Sequence, residues 1–252
     1  MWFRSKDHAQ HSETGQLDQP MIASQNNASL TDDQPYFGIN AAQSLFDLNY
    51  SLYVTENHAD SYAYPLITYL HEGYRSEQDL WNWFPAISDQ NYLGLGVRAP
   101  FPHPQGLPGQ FEWKLRRPDA SMAAIRETVQ SVQFDWTIHP KRTYLFGEGD
   151  GAIVALQNLI LQQSLEYDAV FANGVICRTL PKHWTDWIPH IENQLHGRVL
   201  LLDPLLDADE YAAVDALSEA GLEVTMAPTT DQTLPAAIIN HWIMAGINSA
   251  VY

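Results

Sequence analysis

The sequence predicts an α/β domain with a mostly parallel, twisted sheet that is covered by helices on both faces. From residue 50 onward, short apolar runs alternate with stretches of helical periodicity. Strands that alternate with helices in this way are typical of a parallel sheet with crossover helices. The 252 residues, 45% of them hydrophobic and 12% aromatic, are enough to form one buried core of this kind.

Compact apolar runs predict the strands. SLYVTE at 51–56 alternates polar and apolar residues, whereas PLITYLHE at 65–72 is apolar through its centre, as expected of a strand buried on both faces. NYLGLGVRAP at 91–100 is a second buried run that ends at a proline. The segment 142–152 is predicted as a strand, a tight turn and a helix start, and further strands are predicted at 168–177, 198–207 and 222–228.

Capping residues and apolar periodicity predict the helices. Ser76 precedes acidic residues and is expected to cap a helix over 76–87. Apolar residues recur at helical spacing through 119–136. Glycines and prolines crowd 100–109, which predicts a long loop. The remaining helices are predicted at 153–164, 181–195, 208–220 and 235–247.

The start of the chain differs from the rest in composition. Residues 1–34 are polar, so we expect a flexible arm there, followed by a single domain over 35–252. No apolar stretch follows the first basic residues, and no apolar run reaches the ~20 residues of a membrane span. We therefore expect a cytoplasmic protein without a secretory signal or membrane span.

Charge and cysteine content exclude several classes of function. The chain has 30 acidic and 13 basic residues, a formal net charge of −17, which repels phosphate backbones and argues against nucleic-acid binding. Its one cysteine excludes an internal disulfide framework and a thiolate metal cluster. We predict neither a cofactor nor a metal ion.

The strongest local motif is GEGDG at 147–151. It has the spacing of the nucleophile elbow G-x-S-x-G, with Gly149 at the serine position. The central residue of such a turn has positive φ, which costs a non-glycine residue about 1–3 kcal/mol, so glycine removes both the strain and the nucleophile. Two alternatives are a glycine-rich turn with no catalytic role and a phosphate-binding turn, which Glu148 and Asp150 disfavour.

Five segments of the chain resemble the phospholipase/carboxylesterase family of α/β-hydrolases, in particular its bacterial carboxylesterase-like branch. IHPKRTYLFGEGDGA is the most similar, because the family has I-D/H-P-x-R-V-Y-L-x-G-x-S-x-G-G there. The others are LITYLHEGYRSEQDLW, NYLGLGVRAP, RVLLLDPLLDADE and APTTDQTLPAAIINHWI. The resemblance extends over 65–246 and implies an α/β-hydrolase fold and a carboxylic-ester hydrolase ancestry.

The resemblance implies a degenerate catalytic triad. It places Asp207 at the acid position, Gly149 at the nucleophile position and Asp231 at the position of the family's histidine. An ionised aspartate is a weak base, and Gly149 offers no hydroxyl to activate. The oxyanion loop also departs from the family, because Glu72 stands between a histidine and Gly73. The N–H groups of Gly73 and Asp150 could form an oxyanion hole only if the Glu72 side chain points away.

Three other residues are candidates for a pocket at this edge of the sheet. Cys177 ends a predicted strand, where it is either a nucleophile or, more simply, a packing residue. His71 is either a base or a residue that orients the loop through hydrogen bonds. Trp184 is expected to form a pocket wall for an apolar ligand. Paired carboxylates at Asp207 and Asp231 leave open a hard cation such as Ca²⁺, although the sequence has no dedicated ligand loop.

These inferences give two alternative functions. The first is a catalytically inactive pseudo-esterase that binds a small apolar ligand or a protein partner in the former active-site pocket. The second is an active carboxylic-ester hydrolase that uses a non-standard nucleophile or a metal-activated water. The pair Gly149 and Asp231 favours the first.

Overall fold

The computed structural model describes residues 37–43, 49–88, 90–163, 169–191, 194–204, 206–228 and 235–249. The arm predicted at 1–34 and the predicted base position, Asp231, lie outside these residues. In the described part of the chain, no helix has the length and apolar character needed to cross a membrane.

The described residues contain ten strands, and eight of them form one mixed sheet. In chain order the strands are β1 Phe37–Gln43, β2 Asn49–Val54, β3 Tyr64–Leu70, β4 Leu93–Val97, β5 Phe101–Pro102, β6 Phe111–Glu112, β7 Ile138–Glu148, β8 Gly174–Arg178, β9 Arg198–Leu202 and β10 Glu223–Ala227. The order in the sheet is β1-β2-β4-β3-β7-β8-β9-β10, and β5 and β6 pair separately as a small antiparallel ribbon. β2 is antiparallel to both of its neighbours, and every other pair in the large sheet is parallel.

Helices pack on both faces of this sheet. They are α1 Phe84–Ile87, α2 Pro118–Asp135, α3 Asp150–Leu161, α4 Ala208–Glu219 and α5 Pro235–Ser249, with 3-10 helices at Glu77–Asn82 and Trp184–Trp187. One buried cluster joins α2, α3 and α4 to the sheet. A second joins the first 3-10 helix, α1 and α5 to the opposite face. The predicted α/β architecture, with helices on both faces of a mostly parallel sheet, is confirmed.

Two predicted helices are wrong in extent. Among the described residues of the helix predicted at 181–195, only Trp184–Trp187 are helical, as a 3-10 turn. His183 before this turn has a left-handed φ of 60°, and prolines lie on both sides of it. The helix predicted at 76–87 begins as expected, with the Ser76 hydroxyl accepting from the Gln78 N–H, but it is divided into a 3-10 helix and α1. Pro85 lacks the N–H that would continue the first helix.

Sequence analysis also missed short strands. β1 was not predicted, and neither was the short ribbon: β5 lies inside the loop predicted at 100–109, and β6 follows that loop. The strand predicted at 168–177 starts only at Gly174. These elements have two to seven residues and weak periodicity, so pairing with a neighbour defines them more than their own sequence does.

Candidate functional site

The candidate site is centred on the turn between β7 and α3. Gly149 forms that turn with φ 53° and ψ −122°, in the left-handed half of conformational space that favours glycine. Its N–H donates to the carbonyl oxygen of Arg178 at 3.1 Å and to Oγ1 of Thr179 at 3.2 Å. The strand-to-helix turn with positive φ that the GEGDG spacing predicts is therefore present.

The outer glycines of the motif have a steric role. A Cβ on Gly147 would overlap the carbonyl oxygen of Gly151. A Cβ on Gly151 would overlap the carbonyl oxygen of Leu70, at the end of the neighbouring strand β3. Backbone atoms cannot move away as a flexible side chain can, so both positions require glycine for a turn this sharp.

The Glu72 side chain lies against the apex of the turn. A Cβ on Gly149 would come within 2.6 Å of Cγ of Glu72 and 3.0 Å of its Oε1. Burial, followed by the negative charge of Glu148, raises the pKa of the Glu72 carboxyl above its ordinary value. The condition that sequence analysis set for an oxyanion hole, a Glu72 side chain pointing away, is not met.

Gly73 and Asp150, the residues predicted to donate to an oxyanion, are neighbours in space. A Cβ on Gly73 would be 3.2 Å from Oδ2 of Asp150. Burial, followed by the charge of Glu112, raises the pKa of the Asp150 carboxyl. The Asp150 carboxylate thus lies close to both predicted donors, and its negative charge disfavours the build-up of an oxyanion there.

Glu148, the last residue of β7, binds three partners beneath the turn. Its Oε2 accepts from the Tyr69 hydroxyl at 2.6 Å and from Nε1 of Trp83 at 2.9 Å. Its Oε1 pairs with Nη1 of Arg178 at 2.6 Å. Burial and the Glu148 carboxylate together raise the pKa of Tyr69, so the hydroxyl stays protonated and donates. We call these four residues the Glu148 hub. It connects β3, β7, β8 and the segment between the first 3-10 helix and α1.

Backbone strain is concentrated at the same edge of the sheet. Four non-glycine residues of the described segments have positive φ: Tyr74 at 64°, Thr179 at 51°, His183 at 60° and Asp203 at 51°. Tyr74 follows β3, Thr179 and His183 follow β8, and Asp203 follows β9. Such conformations cost about 1–3 kcal/mol each and cluster at functional sites. The carboxyl edge of the parallel strands is also where α/β sheets place their ligands.

His71 is a loop-orienting residue in this structure. It is fully buried, its Nδ1 is 2.8 Å from the carbonyl oxygen of Glu72, and its Nε2 accepts from the Ala99 N–H at 3.1 Å. Only the neutral tautomer with hydrogen on Nδ1 satisfies both contacts. Burial lowers the pKa of His71 to about 4, and both ring nitrogens are engaged, so it is not available as a general base.

Cys177 and Trp184 have different environments. Cys177 is buried in the core with Sγ 3.7 Å from the carbonyl oxygen of Ala152, and burial raises the pKa of its thiol. It is therefore placed as a packing residue and not at a pocket, because a nucleophilic thiol needs an exposed, anion-stabilising site.

Trp184 lines two adjacent concavities of about 400 and 410 Å³. The expected role of Trp184 as the wall of a pocket for an apolar ligand stays a prediction.

Asp207, at the predicted acid position, caps helix α4. Its Oδ1 accepts from the N–H groups of Asp209 and Glu210, both at 3.0 Å. Oε2 of Glu210 in turn accepts from the Asp207 N–H at 3.0 Å, which completes a capping box. The acid-x-x-Glu spacing before a helix was the signal for this role, and sequence analysis did not use it. The assignment of Asp207 as the acid of a triad stays a prediction.

No metal site was predicted, apart from a hard cation left open between Asp207 and Asp231. Within the segments that the structure describes, no three His, Cys, Asp or Glu side chains are arranged to hold a metal ion. Asp207 is committed to its own helix, and Asp231 lies outside those segments. The cation hypothesis therefore stays a prediction.

Comparison with known proteins places the chain by its fold. No family model and no curated protein matches the sequence. A carboxylesterase from Mesorhizobium loti has a TM-score of 0.58 at 17% identity, over 84% of this chain and 100% of that chain. The Bacillus cereus carboxylesterase has a TM-score of 0.56 at 15% identity, over 79% and 94%. Thermogutta terrifontis esterase 2, in a form phosphorylated by paraoxon, has 0.54 at 9% identity, over 86% and 94%. The structural neighbours are thus bacterial carboxylesterases and an esterase, and the chain has the α/β-hydrolase fold.

Proposed function

We propose that the protein is a pseudo-esterase: an α/β-hydrolase-fold protein that does not hydrolyse esters and acts by binding a ligand or partner at the carboxyl edge of its sheet. The contact between Glu72 and Gly149 carries this proposal. The apex of the turn has no nucleophile, and a carboxylate side chain fills the space that a nucleophile's side chain would need.

Acyl transfer by this fold requires a nucleophile, a base to activate it and donors for the oxyanion. Gly149 lacks a hydroxyl, and His71 uses both ring nitrogens in structural hydrogen bonds. The Glu72 carboxylate would repel an oxyanion that develops at the apex. Gly149 thus supplies no nucleophile, the Glu72 carboxylate disfavours the oxyanion, and the hydrogen bonds of His71 exclude it as a replacement base. The assignment of Asp231 to the base position would remove a further part.

The alternative is an active carboxylic-ester hydrolase with a non-standard nucleophile or a metal-activated water. The likeness of the fold to carboxylesterases favours it. Among the described residues, the strongest nucleophile by chemistry is Cys177, whose thiol is buried with a raised pKa. The pseudo-esterase accounts for more of the geometry.

Ester hydrolysis and covalent labelling together test the proposal. Purified protein is assayed with p-nitrophenyl acetate and butyrate, and its intact mass is measured after incubation with paraoxon. Thermogutta terrifontis esterase 2 serves as the positive control, because it is known in a form phosphorylated by paraoxon. We expect a rate no higher than that of serum albumin and no phosphoryl adduct.

Turnover well above the albumin background would overturn the proposal. Loss of that turnover in Cys177→Ala would then assign a thiol nucleophile, and loss with a chelator would assign a metal-activated water. A phosphoryl adduct located by peptide mapping would identify an oxygen nucleophile elsewhere in the chain. Any of these results establishes the alternative function.

A further inference from the structure

The Glu72 side chain lies over the Gly149 turn without a hydrogen bond to hold it there. Its Cγ, Cδ and Oε1 are 2.6–3.0 Å from the position that a Cβ on Gly149 would take. Among the described residues, no donor forms a hydrogen bond with the Glu72 carboxyl. Glu72 as a whole remains exposed. Its contact with the turn is therefore one of packing, which a neutral carboxyl tolerates better than a charged one.

Like charges face this carboxyl from the two residues that flank the apex. Glu148 precedes Gly149 in the chain and Asp150 follows it. Burial has the largest effect on the pKa of Glu72, and the carboxylates of Glu148 and Asp150 raise that pKa further. An ionised Glu72 is thus repelled by both carboxylates as long as it stays over the turn.

The two cations that face Glu72 already have carboxylate partners. Arg178 on β8 binds Glu148 at 2.6 Å. Arg75, on the same loop as Glu72, lies 3.9 Å from Asp79. Both arginines lower the pKa of Glu72, but the net effect of its surroundings is to raise it. The ionised side chain is therefore less stable over the turn than in solvent.

The backbone at Glu72 is fixed, so the side chain is the part that is free to move. The Glu72 carbonyl oxygen accepts from the Arg75 N–H at 3.2 Å and is 2.8 Å from Nδ1 of His71, which carries the hydrogen. Rotation about the side-chain bonds alone takes the carboxyl from the apex into solvent. Such rotations are fast for exposed residues and need no rearrangement of the loop.

We propose that the Glu72 side chain is a proton-controlled gate of the Gly149 turn. When protonated it packs over the apex and closes the turn, and when ionised it rotates into solvent and leaves the apex accessible. Opening releases one proton to solvent, so a rising pH favours the open turn. The inference rests on the proposed function in one respect: the gate regulates the edge of the sheet at which a ligand or partner is proposed to bind.

Two NMR readouts follow the gate without a ligand. A nuclear Overhauser effect between Hγ of Glu72 and Hα of Gly149 requires the packed position. Relaxation of the Gly149 Hα signals by gadodiamide, a neutral paramagnetic complex, requires an accessible apex. Between pH 5 and 8 we expect the first to fall and the second to rise, each roughly threefold or more. A pKa that differs by one unit between two conformations changes their ratio about tenfold.

Three variants separate Glu72 from the other groups that titrate in this range. Glu72→Gln has the shape of the protonated acid and cannot ionise, so the turn should stay closed at every pH. Glu72→Ala has no gate, so gadodiamide should reach Gly149 equally at pH 5 and 8. Glu219→Gln, at an exposed position on α4, is the matched control and should behave as the wild type. His103, which faces Asp150, is retained in all three, so its titration does not account for their differences.

Asp150→Asn tests the origin of the repulsion. It removes one of the two facing carboxylates and keeps a side chain of the same shape. The ionised Glu72 is then tolerated better over the apex, so the turn should stay closed to a greater extent at pH 8 than in the wild type. An opening as large as that of the wild type would overturn the electrostatic origin of the gate.

The gate is overturned if the contact between Glu72 and Gly149 has the same intensity at pH 5 and pH 8. It is also overturned if the apex is already accessible at pH 5, or if Glu72→Gln shows the pH dependence of the wild type. Neither readout involves an ester, so this test is independent of hydrolysis. Turnover of p-nitrophenyl esters would overturn the pseudo-esterase and leave the gate standing, whereas a pH-independent contact would do the reverse.

Discussion

The Glu72 side chain packs over Gly149, so that a Cβ at the apex of the turn would lie 2.6 Å from its Cγ. The two departures from the esterase pattern are thus in contact. Gly149 has no side chain, and the Glu72 side chain fills the space beside it. Glycine at position 149 leaves room for the Glu72 side chain in this position, whereas a serine at position 149 would collide with it.

Gly149→Ser is therefore expected to destabilise the protein for two separable reasons. Positive φ costs a serine about 1–3 kcal/mol, and its Cβ collides with Glu72. Adding Glu72→Ala removes the collision but not the strain, so the two substitutions should couple favourably by about 0.5–2 kcal/mol in urea unfolding.

Gly109→Ser is the matched control for this cycle. Gly109 has φ 90° and open space around its Cβ position, so a serine there meets the conformational cost without a collision. Gly109→Ser should lower the free energy of unfolding by the same amount with and without Glu72→Ala. Strict additivity of Gly149→Ser and Glu72→Ala would show that the packing of Glu72 on the turn does not persist in solution.

The Glu148 hub is expected to stabilise the fold measurably. Glu148→Gln replaces an acceptor of three donors with a group that must turn an NH₂ toward at least one of them, and it leaves Arg178 without its counter-charge. We expect the free energy of unfolding to fall by about 1–3 kcal/mol in urea titrations.

Glu223→Gln provides the comparison for that measurement. Glu223 pairs with Arg198 at 3.4 Å, but its side chain is 66% exposed. Exposed pairs contribute little, so the loss should be below about 1 kcal/mol. Equal losses in both variants would mean that the buried arrangement of the Glu148 hub adds nothing beyond an ordinary surface pair.

The stability of the fold should depend on the ionisation of His71 in weak acid. Its pKa is lowered from 6.5 to about 4, so the folded state keeps it neutral where the unfolded chain protonates it. The contribution of neutral, buried His71 to the free energy of unfolding is complete above pH 6.5. It decreases by on the order of 3 kcal/mol as the pH falls toward 4. Unfolding free energies at pH 7.5, 6 and 5 measure this slope.

Two observations isolate His71 from the other groups that titrate in this range. His71→Gln should flatten the slope, whereas His241→Gln, at an exposed position on α5, should leave it unchanged. The imidazole of His71 in the wild type should keep hydrogen on Nδ1 and not titrate between pH 7 and 5. Titration of His71 near pH 6.5 would contradict its buried, doubly bonded state.

Asp207 is expected to act on stability through its helix. Asp207→Ala removes the acceptor of two N–H groups and should lower the free energy of unfolding by about 1 kcal/mol. Asp207→Asn keeps an acceptor oxygen and should retain most of the capping stabilisation. Thermal unfolding of the two variants beside the wild type measures the difference. If Asp207→Asn is as unstable as Asp207→Ala, capping is not the role of this side chain.

The sequence was sufficient for the fold and for the turn, for a physical reason. Buried parallel strands are apolar runs, and the GEGDG turn requires glycines at fixed spacing because Gly147 and Gly151 meet backbone atoms. These are local constraints, and local constraints leave a pattern in a single sequence. The capping of α4 by Asp207 is equally local, and its Asp-x-x-Glu spacing could have predicted this role from the sequence.

Long-range relationships left no such pattern. Tyr69, Trp83 and Arg178 are 79, 65 and 30 residues from Glu148 in the chain, and nothing in the sequence pairs them. The direction of the Glu72 side chain was likewise open until the packing around Gly149 was known. The helix predicted at 181–195 failed because its apolar residues pack around a 3-10 turn between prolines.

The Glu72 side chain of the protein itself occupies part of the space at the Gly149 turn. A carboxylate on the loop after β3 competes with any molecule that approaches Gly149, and tethering gives it an effective concentration on the order of millimolar. Any molecule that contacts the apex of the turn would therefore have to displace the Glu72 side chain. Removal of the Glu72 carboxylate is thus expected to make the backbone of the turn more accessible to small molecules.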